Sequence, residues 1–137
     1  MQQALRQARM AFDAGEVPVG AVIRVEDKVI GKGYNQTEML NDVTAHAEMI
    51  AITAAAGHMN SKFLDECTLY VTVEPCLMCA GALKWARFHR IVYGASELKF
   101  GFSKDVPGLF GKKTELVKGV LAEECGSLMT DFFKARR

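Results

Sequence analysis

His46-Ala47-Glu48 and, 30 residues further on, Pro75-Cys76-Leu77-Met78-Cys79 constrain this chain more than any other feature, because two distant segments must fold together before their donor groups can meet. They supply one imidazole and two thiols, and no obvious fourth ligand. A structural zinc site closes with four protein ligands, whereas a catalytic one keeps three and leaves a position for water. The pattern points to one catalytic Zn2+ per chain, held by His46, Cys76 and Cys79. Cys76 and Cys79 stand at i and i+3, so a helix opening at Pro75 projects both sulfurs from one face. Its N–H groups and dipole stabilise thiolates there. The segment Thr44 to Ala56 reads as a second helix start, so two helix N-termini converge on the ion, balanced by thiolate charge.

Glu48 decides what such a site does. Two residues along a helix turn a side chain by roughly 200°, so Glu48 flanks the open position and does not ligate. Zinc lowers the pKa of bound water to about 7, and a nearby carboxylate can relay the proton. Hydrolytic deamination of a nucleobase needs those steps: attack on an amine-bearing ring carbon, then protonation of the ring nitrogen and of departing ammonia. A closed structural site would instead recruit Cys67 or Cys125, and a zinc finger would place its second ligand pair together. Neither explains a lone upstream His beside a carboxylate. Cys67 and Cys125 read as buried small hydrophobes, His58 and His89 as surface residues, and Glu74 as structural, salt-bridged near the site.

With 137 residues, half of them hydrophobic, the chain is expected to form one domain over 1–137 with its own core. No apolar run of about 18 residues is present, and Met1 to Arg9 lacks a signal-peptide core, so the expectation is a cytoplasmic protein without a membrane partner. Four Cys, two at metal spacing, argue against a disulfide framework. Charge is unevenly spread: residues 1–83 carry 6 Lys and Arg against 10 Asp and Glu, whereas residues 84–137 carry 11 against 6. The basic half fits contact with phosphates, although such charges are usually only solvated.

Ala4, Leu5, Ala8, Ala11 and Phe12 recur at helical spacing up to Gly15. Val17 to Val25 and Lys28 to Asn35 read as a hairpin around Glu26-Asp27. The helix bearing His46 and Glu48 is capped by Asp42 or Thr44 and ends at Gly57. Strands follow at Cys67 to Val73, Arg90 to Tyr93 and Glu115 to Lys118, with the Cys76 helix after the first of them. Residues 94–113 read as a long loop, and Leu121, Cys125, Leu128, Met129, Phe132 and Phe133 mark an amphipathic C-terminal helix. This alternation predicts an α/β fold: a three-layer α/β/α sandwich around a five-stranded mixed sheet.

The H-x-E and P-C-x-x-C pair, together with Gly15-Glu16-Val17-Pro18-Val19-Gly20-Ala21, Gly33-Tyr34-Asn35, Leu69-Tyr70-Val71-Thr72-Val73-Glu74 and the closing Asp131-Phe132-Phe133-Lys134-Ala135-Arg136-Arg137, resembles the bacterial tRNA-specific adenosine deaminases. The resemblance implies a cytidine-deaminase-like sandwich, a homodimer, and conversion of adenosine to inosine at the wobble position of a tRNA anticodon loop. It implies Glu48 as general acid/base, and Asn35, Ala47, Cys76, Glu97, Phe132 and Phe133 against the substrate, Ala47 and Cys76 through their backbone N–H groups. Trp85 and Phe88 become candidates for the subunit interface. Where the family has an Asp after the fourth strand's Gly-Ala, this chain reads Gly94-Ala95-Ser96-Glu97-Leu98-Lys99-Phe100-Gly101-Phe102. Glu97 keeps the charge with a longer side chain, in a segment that resembles the RNA-facing one. A small-molecule deaminase of cytosine, cytidine or guanine would use the same zinc chemistry, and a metal-stabilised RNA-binding protein would have no need of Glu48.

Overall fold

In the computed structural model, which describes residues 1–136, the elements run α1 Gln2–Asp13, β1 Gly20–Val25, β2 Lys28–Tyr34, α2 Ala47–Met59, β3 Cys67–Val73, α3 Leu77–Ala86, β4 Arg90–Ala95, α4 Phe102–Asp105, β5 Glu115–Lys118 and α5 Ala122–Ala135. The strands form one sheet in the order β2-β1-β3-β4-β5. β1 is antiparallel to both β2 and β3, while β3, β4 and β5 run parallel. The sheet is therefore mixed and five-stranded, with α1 and α5 packed together on one face and α2 and α3 on the other. Ile23, Leu69, Val71 and Ile91 meet Ala51, Ala55, Leu83 and Phe88 in the core between sheet and the second helical layer.

Small residues bring α2 close enough to matter. Ala47, Ala51 and Ala55 line one face of the helix at i, i+4 spacing. They lie over Gly31 and Gly33 of β2, where a Cβ would run into the carbonyl oxygens of Ala51 and Ala47. Glycine at both strand positions is thus a condition of the close approach, which sets the first turn of α2 against the end of β2.

Several boundaries differ from expectation. β1 begins at Gly20 and not at Val17, because Pro18 has no N–H for a ladder and Val19 N–H turns back to Val17 O at 2.8 Å. Asp42 does not cap α2; its Oδ1 accepts from Thr44 N–H (2.8 Å) and Thr44 Oγ1 (2.7 Å) in a local turn. The N-cap is His46, with no side-chain cap bond, and α2 ends at Asn60 in the left-handed conformation (φ 52°). α3 likewise starts at Leu77 with Cys76 as N-cap, so Pro75 stands just outside the helix. The stretch 94–113 extends β4 to Ala95 and includes the single turn α4.

Candidate metal centre and cleft

Both ligand segments are helix entries. His46 caps α2, and the chain leaving β3 passes Glu74 and Pro75 before Cys76 caps α3. Parallel β3 and β4 direct their C-terminal ends to this edge of the sheet, where the crevice beyond the strands is the natural ligand position of an α/β fold. The fold thereby brings together groups separated by 30 and 33 residues: His46 Nδ1 lies 3.6 Å from Cys76 Sγ and 3.5 Å from Cys79 Sγ.

That spacing tests whether the donors fit an ion. A tetrahedral centre with metal–nitrogen bonds of about 2.0–2.1 Å and metal–sulfur bonds of about 2.3 Å has N···S edges of about 3.6 Å. The observed edges agree, and the three donor atoms all lie within 4.8 Å of one another. Among the described residues this is the one His/Cys/Asp/Glu group so gathered. Its protons are already biased: Cys76 is pulled down to about 4, chiefly by hydrogen bonding with Cys79 and then with His46. Cys79, deeper and sharing that proton, is pushed up, and hydrogen bonding to Cys76 raises His46.

Glu48 sits in the first turn of α2 and is 3% exposed. Its carboxylate meets its own backbone N–H and the Cys79 thiol, and burial pushes its pKa up to about 7 from the ordinary 4.5. A carboxyl group poised near neutrality can both accept and release a proton there. Beside it opens a cleft of about 250 Å³, reached by Glu48, His46, Ala47, Cys76, Asn35 and Glu97. Asn35 follows β2, buried, its N–H bonded to Val19 O. Phe132 and Phe133 do not line this cleft. Phe132 is buried against Phe12 with the Arg136 guanidinium over its ring, and Phe133 is half-exposed. Arg136 also donates to Gly15 O, tying α5 to the turn after α1; Arg137 lies outside the described residues.

Other wall residues come from places that periodicity does not mark. Val17 and Val19 enter because the strand stops short, Thr37 from the loop after β2, and Phe100 and Met129 from the 96–101 turn and α5. Glu74, also on the wall, has no ion pair among the described residues. Its Oε1 accepts from Glu97 N–H (3.1 Å), and its Oε2 from Ser103 N–H (3.1 Å) and Ser103 Oγ (2.6 Å). Gly101 passes so near that a Cβ would lie 2.6 Å from Oε2. Glu16 acts in the same way on the loop after β2, accepting from Glu38 N–H (3.1 Å) and Met39 N–H (2.7 Å). Glu97 turns its own carboxylate onto Lys99 and Phe100 N–H (2.8 and 3.3 Å).

The MafB19-like deaminase family model matches the chain over residues 1–137. A tRNA-specific adenosine deaminase of Rickettsia felis is 44% identical over 144 aligned residues, covering 100% of both chains. Among solved structures, one from a study of A-to-I editing by tRNA:A34 deaminases at the wobble position of transfer RNA aligns with a TM-score of 0.87. It shares 38% identity and covers 93% of this chain and 96% of that one. A guanine deaminase from Bacillus subtilis is also 38% identical, with a TM-score of 0.67 over 74% of this chain and 69% of that one.

Proposed function

This chain belongs to the MafB19-like deaminases and, within them, to the tRNA-specific adenosine deaminase family, and on that premise we propose that it hydrolyses adenosine to inosine at the wobble position of a tRNA anticodon. One observation carries the reading: a buried carboxylate, Glu48, stands beside a His-Cys-Cys donor triad at the base of an open cleft.

His46 Nδ1, Cys76 Sγ and Cys79 Sγ would hold one Zn2+. When bound, zinc supplies a Lewis acid that makes water reactive near neutral pH. Glu48 would take one proton from the attacking water and pass it to the purine ring nitrogen, then take the second from the hydroxyl left on the ring carbon and pass it to the departing amino group, so that adenosine and water become inosine and ammonia. Ala47, the first residue of α2, and Cys76, the N-cap of α3, offer N–H groups that have no intrahelical carbonyl, and Asn35 offers an amide to the nucleoside. The cleft suits one nucleoside, so the base must leave its stack, and a base in an anticodon loop is already unpaired.

The whole span 1–137 serves as one deaminase unit, acting as a cytoplasmic homodimer. Trp85, 83% exposed on α3, is the side chain a second subunit would cover, whereas Phe88 is buried in the core. Among the described residues no helix is long and apolar enough to cross a membrane. The likeness to a guanine deaminase keeps a free-base substrate as the second reading. Incubating the purified protein with an anticodon stem-loop bearing A at the wobble position, beside free guanine, cytosine and cytidine, separates the two. Inosine from the stem-loop is expected. Ammonia from a free base or nucleoside alone would overturn the tRNA reading.

A further inference from the structure

Phe100 is 63% exposed on the rim of the cleft, yet the turn that carries it is hydrogen-bonded on both sides of the ring. On one side Glu97 is fixed by its N–H to Glu74, and its carboxylate and carbonyl receive the N–H groups of Lys99, Phe100 and Gly101. On the other, Phe102 donates to Pro75 O at 3.0 Å and is fully buried, its ring edge-on to Phe110 at 5.1 Å. A lone exposed apolar side chain needs no explanation. A ring that lines the reaction cleft, on a turn pinned at both ends to the cysteine segment, is a different matter.

We propose that Phe100 is a stacking platform for the unpaired base that flanks the reacting adenosine. The inference rests on the RNA reading above and names a specificity contact within it. A cleft of about 250 Å³ falls below the usual range of about 300–1,000 Å³ for drug-sized ligands. It takes one nucleoside, and the next nucleotide of a single strand must lie along the rim. Aromatic faces are what single-stranded bases stack on, with little regard to sequence. Lys99 Nζ sits 5.2 Å from the ring centroid, over one face. A base takes the other, and the ammonium faces the adjoining phosphate.

The test compares parent, Phe100→Ala and Phe100→Trp on three stem-loops: intact, abasic immediately 5′ of the target, and abasic immediately 3′ of it. Phe100→Ala is expected to lower kcat/KM on the intact RNA about 5- to 150-fold, the range of one base–aromatic stack. The loss should shrink to within about twofold on one of the abasic RNAs, and Phe100→Trp should retain activity. A loss of equal size on all three RNAs, or no loss on the intact one, overturns the proposal. Affinities for the same RNAs, read by fluorescence anisotropy, keep the two claims apart. If the parent binds without deaminating, the functional reading fails, while the platform stands or falls on the same pattern in affinity. Absence of any RNA binding overturns both.

Discussion

Glu48 and Glu74 are two carboxylates on the wall of one cleft, 3% and 5% exposed. They are built to opposite ends. Glu74 receives three hydrogen bonds from a segment 23 to 29 residues away and so joins the cysteine turn to the rim. Glu48 receives none from a distant backbone, faces the donor triad, and is pushed by burial to about 7. Burial alone therefore does not mark a proton-transfer group. What distinguishes Glu48 is that its partners are local, its own N–H and a thiol of the donor triad, beside the place where protons must move.

The largest effect expected on the Glu48 side comes from its neighbours. Cys76→Ala or Cys79→Ala should lose the metal, all measurable deamination and several degrees of Tm, because ligation joins two helix entries. Metal analysis and thermal melts check this, and full metal retention would break the pairing of donors described above. On the Glu74 side, Glu74→Ala leaves three donors without their acceptor, which should cost about 1–3 kcal/mol each where the group stays dry and less where water replaces it. Melts should show a clear loss of stability with metal retained. Gly101→Ala should act in the same direction by crowding that carboxylate, whereas Glu74→Gln should recover part of the loss.

A pH experiment sharpens the contrast. In the fold Glu48 keeps its proton up to about pH 7, while an ordinary carboxyl releases it near 4.5. Between those values the folded state binds more protons, so this group's contribution to stability falls as pH rises from about 4.5 to about 7 and is level above. In chelator-treated protein, Glu48→Gln should gain Tm relative to the parent on going from pH 5 to pH 8. A constant difference would contradict the burial argument. Smallest is Arg136→Ala, which removes the bond to Gly15 O and the cation over Phe132. It should cost about 1 kcal/mol in a denaturant melt, so loss of this arginine is not a clean probe of phosphate contact.

The sheet and helices were legible because their apolar spacing is local, and the donor residues because thiols and imidazole at such spacing have few other uses. Helix starts were not: Asp42 bonds Thr44 within a turn, and His46 and Cys76 occupy N-cap positions where no side chain makes the capping bond. Glu74's task depends on Ser103, and that of Glu16 on Met39, pairings made only by the tertiary fold. The aromatic at the rim is Phe100, and Phe132 is turned into contact with α1. On the C-terminal helix, periodicity marks apolar residues without saying which of them reach the cleft.

The central claim is that Glu48 moves protons and does not hold the metal. Metal content and single-turnover inosine formation should be measured on one preparation of Glu48→Gln, with Glu74→Gln alongside. The account predicts about one zinc per chain in both, a fall of roughly 10²–10⁴-fold for Glu48→Gln, and a far smaller fall for Glu74→Gln. Loss of zinc from Glu48→Gln, or equal impairment of the two variants, would contradict it.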